Sequence, residues 1–241
     1  MRLQYAKSYL PEFPRTRHLP YHPNAQRDDL VASEEEAHIV FDLTTFVEEK
    51  IDGSNVGICW HDKEEVFLVR NRDHILDKAY CKTQTSSKLQ YRPVWNWAYD
   101  RKKQFQDIND IFGEPVGVYG EWTYALHGRV YTHLPSYFIP FDIYVPSQRY
   151  FLATNKTREI FDQVGLPTTP LLYSGVLKTY SDLDNILYSQ SSYSNVDQRE
   201  GLYLKVCDFT KVIARFKMVH RDYSPGYRWD NTTITKQGLL K

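Results

Sequence analysis

Cysteine is scarce: Cys59, Cys81 and Cys207 are the only three in 241 residues, far apart and without a C-x-x-C spacing. An odd, scattered set excludes a disulfide scaffold and suits a reduced compartment, so the three read as ordinary, partly buried thiols. No run approaches the roughly eighteen apolar residues of a membrane span. Lys7, Glu12, Arg15, Arg17, Asp28 and Asp29 leave no apolar stretch for a signal peptide. A soluble, intracellular (cytoplasmic) protein is expected. A surplus of one charge is also missing, because 30 Lys and Arg balance 30 Asp and Glu. Composition therefore does not announce a nucleic-acid binder, which would need a local basic groove. Internal repeats, low-complexity segments and an evident linker are missing too.

Aromatic residues are abundant at 15%, with 19 Tyr among them. Aromatic faces can stack on bases, although a β-rich core accounts for most such rings. Residues 1–34 are Pro-rich and poorly periodic, which predicts an irregular N-terminal arm packed on the domain. Short β-branched or aromatic runs then follow at Phe46–Lys50, Asn55–Trp60 and Val66–Arg70, separated by turn residues, as in successive antiparallel strands. The spacing of Val94, Trp97, Ala98, Phe105, Ile108 and Phe112 predicts a helix from Pro93, with a gap at Arg101. Strands are expected again at Val116–Trp122, Tyr137–Val145, Leu202–Val206 and Val212–Val219, and helices at Thr154–Val164 and Ser181–Tyr188. Gly165 reads as the stop of the first of these helices and Ser181 as the cap of the second. Without regular β/α alternation the class is α+β. One domain over 35–223 and a short tail over 224–241 are expected, with no separate OB or helical domain.

Five segments carry residue types suited to chemistry. Taken alone, Lys50 before Asp52-Gly53 in Glu48-Glu49-Lys50-Ile51-Asp52-Gly53-Ser54-Asn55 reads as a solvated hairpin lysine. Arg70-Asn71-Arg72 reads as a hairpin exit, and Glu121 in Tyr119-Gly120-Glu121-Trp122 as a glutamate on an edge strand. Phe138-Ile139-Pro140-Phe141-Asp142 supplies two rings, either of them ordinary core. Strand parity in Val212–Val219 puts Arg215 and Lys217 on one face and Phe216 and Met218 on the other.

Together with Glu200-Gly201-Leu202-Tyr203-Leu204-Lys205, these segments resemble, in order, the motifs of the covalent lysyl-nucleotidyltransferases, which include ATP-dependent DNA ligases, RNA ligases and mRNA capping enzymes. The resemblance implies a nucleotidyltransferase (ATP-grasp-like ligase adenylation) fold with antiparallel sheets flanked by helices. It makes Lys50 the nucleophile that attacks the α-phosphate of a nucleotide and becomes lysyl-NMP. It places Glu49, Ile51 and Asn55 by the nucleotide, Arg70 on a phosphate, Glu121 on the ribose hydroxyls and Phe141 on adenine, with Phe138 as the other candidate ring. Lys217 holds the α-phosphate with Arg215 as its companion, Lys205 touches a phosphate, although alternation points it away from Glu200 unless Gly201 makes a bulge, and Glu200 serves Mg²⁺ or Mn²⁺. Phosphoryl transfer needs that charge neutralisation. With a reference pKa of about 10.4, a neutral lysine at about pH 7.4 costs roughly 4 kcal/mol, so neighbouring cations or desolvation are expected around Lys50.

Within that superfamily, Glu-Lys-x-Asp-Gly-Ser-Asn, then Arg-Asn, then Phe-Asp-Ile looks most like the nick-sealing RNA ligases that join a 3′-OH to a 5′-phosphate. ATP as the AMP donor and RNA ends or a nicked duplex as partner are implied. Members usually append a second domain, and only residues 224–241 follow Tyr223, so strand binding is expected to be weak or shared with an accessory protein. Phe13–Pro20 resembles an N-terminal stretch of bacterial and phage members of that group. His18 and His22 stand four apart, but Pro20 and Pro23 argue against a helix that aims both at zinc. The competing readings are a DNA ligase, a capping-type guanylyltransferase and a silent nucleic-acid binding module.

Overall fold

The computed structural model describes residues 2–21, 25, 29–77, 89–223 and 234–240. Cys81 and His22 lie outside the described residues, as does most of the expected tail.

The N-terminal arm is more regular than its prolines suggest. Arg2–Tyr9 forms helix α1 ahead of Pro11 and Pro14, and Arg17–His18 forms strand β1, which pairs parallel with Phe216 and Lys217. Ser33 caps α2 (Glu34–Ala37) in a capping box with Glu36, which gives the acidic run a place at a positive helix end. Strands β2 (Thr45–Lys50), β3 (Ser54–His61), β4 (Val66–Asn71) and β5 (Ile75–Leu76) follow.

The helix expected from Pro93 to Phe112 is two helices, α3 (Arg92–Tyr99) and α4 (Lys102–Phe112). The chain breaks at Arg101 (φ −119°, ψ 20°), where the apolar spacing fails, and the guanidinium lies 4.5 Å from the Trp97 ring centroid. The break lets Trp97 and Phe105 meet edge to face over one sheet. Next come β6 (Gly117–Trp122), β7 (Phe138–Val145), β8 (Tyr150–Phe151) and α5 (Thr154–Gln163). Gly165, at φ +72°, takes the left-handed conformation that ends α5. Strand β9 (Leu171–Gly175) was not foreseen, since its mixed residues show no alternation. A 3₁₀ turn (Tyr180–Leu183) capped by Thr179, not Ser181, leads into α6 (Asp184–Leu187), and β10 (Gly201–Cys207) and β11 (Val212–Val219) close the series.

Two sheets result, with strand orders β1-β11-β10-β2-β9 and β5-β4-β3-β6-β7-β8. The outer face of the six-stranded sheet carries Val56, Ile58, Trp60 and Trp122 against α3, α4 and α5, and the outer face of the five-stranded sheet buries Val47, Leu204 and Phe216. A third apolar layer, including Leu10, Phe46, Cys59, Tyr119 and Phe151, fills the space between the sheets. Leu10 belongs to the arm, so the arm wedges into the inter-sheet core. Residues 234–240 also pack on the domain: Leu126 N donates to Thr235 O at 2.8 Å, and buried Gln237 donates to Arg129 O at 2.6 Å. No helix among the described residues is long and apolar enough to cross a membrane.

Candidate active site

The cleft opens where the inner faces of the two sheets diverge, and its cavity volume is 370 Å³, within the range of small-molecule sites. Register decides what faces it. Lys50 pairs with Gly201, Glu48 with Tyr203, and Tyr203 with Lys217, so Glu48, Lys50, Tyr203 and Lys217 share the inner face of the five-stranded sheet. Across the gap Asn55 of β3 pairs with Glu121 of β6.

Lys50 ends β2 at the turn that Gly53 permits. A Cβ on Gly53 would stand 2.7 Å from Trp122 O, inside the neighbouring strand, so the turn needs a glycine for close approach. Asp52 fastens this turn to the next loop. Its Oδ2 accepts from the amides of Gly128 (2.5 Å) and Arg129 (2.7 Å), its Oδ1 from the Tyr223 hydroxyl (3.0 Å), and its amide donates to Tyr131 Oη (2.7 Å).

The charges around Lys50 are the reverse of the expectation. Its Nζ lies 2.6 Å from Glu200 Oε1, and among the described residues the charges set closest to it are carboxylates. Burial pulls the ammonium towards the neutral amine, but Glu200, Glu121 and Asp52 outweigh burial and hold the pKa up at about 12. Burial also pushes the Glu121 carboxyl up to about 8 and the Glu200 carboxyl up to about 7. Among the described residues, Asn55 Oδ1, Thr169 Oγ1 and Glu200 Oε2 are buried without a hydrogen-bond partner. Buried oxygens of this kind are rare and mark places where a ligand can bond.

The structure brings Glu49, Lys50, Ile51, Asn55, Glu121, Phe141 and Lys217 to the cleft wall, with Glu200 beside Lys50. Phe141 is the extra residue of a bulge: Tyr119 pairs with Asp142 and Gly120 with Pro140, leaving Phe141 unpaired and turned towards the cleft. Its ring stacks on Tyr203 at 6.2 Å. Phe138 instead is fully buried against Trp97. Glu49 reaches the cleft only in part, because its carboxylate is buried on the far face and accepts from Ser191 Oγ (2.5 Å) and Ser192 N (2.8 Å).

Three sequence expectations need correction. Arg70 is buried, and its guanidinium donates to the carbonyls of Leu10, Asn71 and Arg72 at 2.8–3.1 Å, so it is committed to the backbone rather than open to phosphate. Lys205 does lie on the inner face, since the β10 register shifts only at Val206/Cys207 and not at Gly201. There it is sealed between Glu48 Oε2 (2.8 Å), Asp142 Oδ1 (3.0 Å) and Phe141 O (2.6 Å). Arg215 is turned to Asp142 Oδ2 at 3.0 Å and packs over Phe151, away from the cleft. Only Lys217 of that basic face lines it, and its Nζ is 2.8 Å from Asp29 Oδ1.

Sequence reasoning missed Phe13, Thr16, Arg72, Thr169 and Tyr203, all on the cleft wall. Tyr203 could have been found by parity with Lys205. Thr16 bonds the Tyr203 hydroxyl at 2.8 Å, a meeting across most of the chain that no local pattern encodes.

Two diverging sheets, a lysine at a Lys-x-Asp-Gly turn and facing carboxylates define the class of fold shared by covalent nucleotidyltransferases. The RNA ligase family model matches residues 43–219, and the chain belongs to that family. Among solved structures, an apo mutant of Naegleria gruberi RNA ligase is similar at TM-score 0.59 and 17% identity, over 89% of this chain and 57% of that one. The same ligase with PPi gives the same four values, and a mutant with ATP and Mn gives a TM-score of 0.55 at 19% identity, over 78% of this chain and 53% of that one. This chain therefore spans between half and three-fifths of the Naegleria ligase chains. No curated protein sequence matches it.

Proposed function

We propose that this chain carries the adenylylation site of an ATP-dependent RNA ligase, which joins 3′-OH and 5′-phosphate ends through lysyl-AMP on Lys50. The observation that carries the reading is Lys50 at the cleft floor, 2.6 Å from Glu200 and within the field of Glu121, with Lys217 on the same face. In this reading residues 35–223 are the adenylyltransferase domain. Lys50 Nζ first gives up one ammonium proton to Glu200 or water, then forms the N–P bond to the α-phosphorus of ATP as the bond to pyrophosphate breaks, and its second proton leaves to water as lysyl-AMP forms. AMP then passes to the 5′-phosphate, and the 3′-OH displaces it.

Lys217 exchanges Asp29 for a phosphate oxygen, Phe141 and Tyr203 offer faces to adenine, and Asn55 and Glu121 face the sugar. The donor set fits Mg²⁺ or Mn²⁺: Glu200 keeps one buried carboxylate oxygen without a partner, and such ions complete their shell with phosphate oxygens and water. When bound, the ion neutralises charge on the phosphates. No group of three or more acidic, His or Cys side chains that could hold a metal ion is present among the described residues. The Mn and ATP carried by the Naegleria structures support the same choice.

The test is incubation with α-labelled ATP or GTP and Mg²⁺, followed by denaturing electrophoresis, with Lys50→Ala alongside. Label from ATP that vanishes in the variant is expected. Label from GTP would favour a capping enzyme, and no label a binding module. Competition among RNA, DNA and hybrid nicks separates the RNA from the DNA ligase, since only the 2′-OH and helix shape differ.

A further inference from the structure

We propose that residues 13–16 of the N-terminal arm are an end wall of the nucleotide pocket, in which Thr16 and Phe13 position the Tyr203 and Phe141 rings for adenine. The inference rests on the adenylylation reading above. The chemistry of Lys50 gives this part of the arm no task, yet the fold sets Phe13, Pro14 and Thr16 on the cleft wall.

The segment is tied down at both ends, each end to a different sheet. On the six-stranded side, Arg70 Nη1 of β4 donates to Leu10 O at 2.8 Å, and the Tyr119 hydroxyl of β6 donates to Pro11 O at 2.5 Å. On the five-stranded side, Arg17 and His18 pair with Phe216 and Lys217 of β11, and Leu19 N donates to Lys217 O at 3.1 Å. Residues 13–16 therefore cross from one sheet to the other at the cleft. Their order is established by folding and does not have to be supplied by a ligand.

What the segment touches selects its role. Thr16 Oγ1 and Tyr203 Oη lie 2.8 Å apart. Tyr203 stands on the inner face between Glu48 and Lys217, and its ring stacks on Phe141 with 28° between the planes. Phe13 meets the Phe141 ring edge to face at 5.5 Å, and is itself packed against Tyr119 and Phe151. One ring is thus fixed through its hydroxyl and the other through its edge. A base that stacks here meets a surface already formed, so little side-chain freedom is lost on binding.

The test is a double-mutant cycle on the AMP affinity of the nucleotide-free protein, measured by titration calorimetry for wild type, Thr16→Val, Tyr203→Phe and the two together. Each single change removes one hydroxyl at nearly constant shape. Thr16→Val and Tyr203→Phe should each weaken AMP about five-fold, and the double variant no further, because both break the same bond. Thr16→Ser, which keeps the hydroxyl, should bind near wild type. Inorganic pyrophosphate, which has no base, should bind all of these proteins alike. An AMP affinity untouched by Thr16→Val, losses that add in the double variant, or pyrophosphate binding that falls in step overturns the proposal. Self-labelling from ATP is scored separately. Coupled AMP losses without label would bring down the adenylylation reading and leave the arm assignment standing, and label with uncoupled AMP binding would do the reverse.

Discussion

Lys50 Nζ and Glu200 Oε1 lie 2.6 Å apart, although 150 residues separate them, because Lys50 pairs with Gly201 across neighbouring strands. The pair holds the Lys50 amine in its charged form. Glu200→Gln removes the leading opposing charge while burial remains, so the Lys50 pKa should fall from about 12. The pH dependence of Lys50 modification by an amine-selective reagent, read by mass spectrometry, should move to lower pH in the variant. An unmoved profile would show that the pair does not govern the amine.

Glu121 carries a cost of burial. Its folded pKa, pushed up to about 8, exceeds the unfolded value of roughly 4.3, so the folded state binds more protons between these values and stability falls as pH rises through that window. Glu121→Gln should therefore melt a few degrees above wild type at pH 8.5 and close to it at pH 5, by calorimetry, with the higher pH lying above the window and the lower near its foot.

Asp29 occupies Lys217 with one carboxylate oxygen and stands 3.2 Å from the buried His18 with the other. In the proposed adenylylation reading, a phosphate bound by Lys217 competes with it. Asp29→Asn is expected to tighten pyrophosphate binding several-fold, measured by titration calorimetry, and Asp29→Glu to leave it near wild type.

Lys205 is fully buried between two carboxylates, so Lys205→Met leaves Glu48 and Asp142 without their shared counter-ion. Breaking a buried pair costs about 3–5 kcal/mol, and the denaturation midpoint should fall accordingly. A variant that folds normally but fails only in phosphate binding would restore the role in ligand contact that its sequence position suggested.

The two rings of β7 separate folding from binding. Phe138→Leu should lower the melting temperature by several degrees through the core beside Trp97, whereas Phe141→Leu should weaken AMP binding with little change in melting.

Much of the fold was legible because alternation and turn chemistry are local. The runs at Phe46–Lys50, Asn55–Trp60 and Val212–Val219 form strands β2, β3 and β11, and Gly165 ends a helix as its chemistry requires. The split at Arg101 showed in the sequence only as a gap in spacing, and the bulge at Phe141 not at all, since a bulge is set by the partner strand. α1 was hidden by the prolines that follow it. Its stability comes from Leu10 lying in the inter-sheet core, which is a tertiary contact.

The candidate site divides along the same line. The order and type of Lys50, Glu121, Glu200 and Lys217 are properties of short segments, and they were sufficient to choose a family. Which cation faces the cleft is not a local property. Arg70 is consumed by Leu10 O, Lys205 and Arg215 by Asp142, and Lys217 by Asp29, each partner arriving from a distant part of the chain. Ion pairs and hydrogen bonds form only over about 3 Å, so the folded arrangement of remote segments, and not the spacing of residues along the chain, sets which charges remain for a ligand.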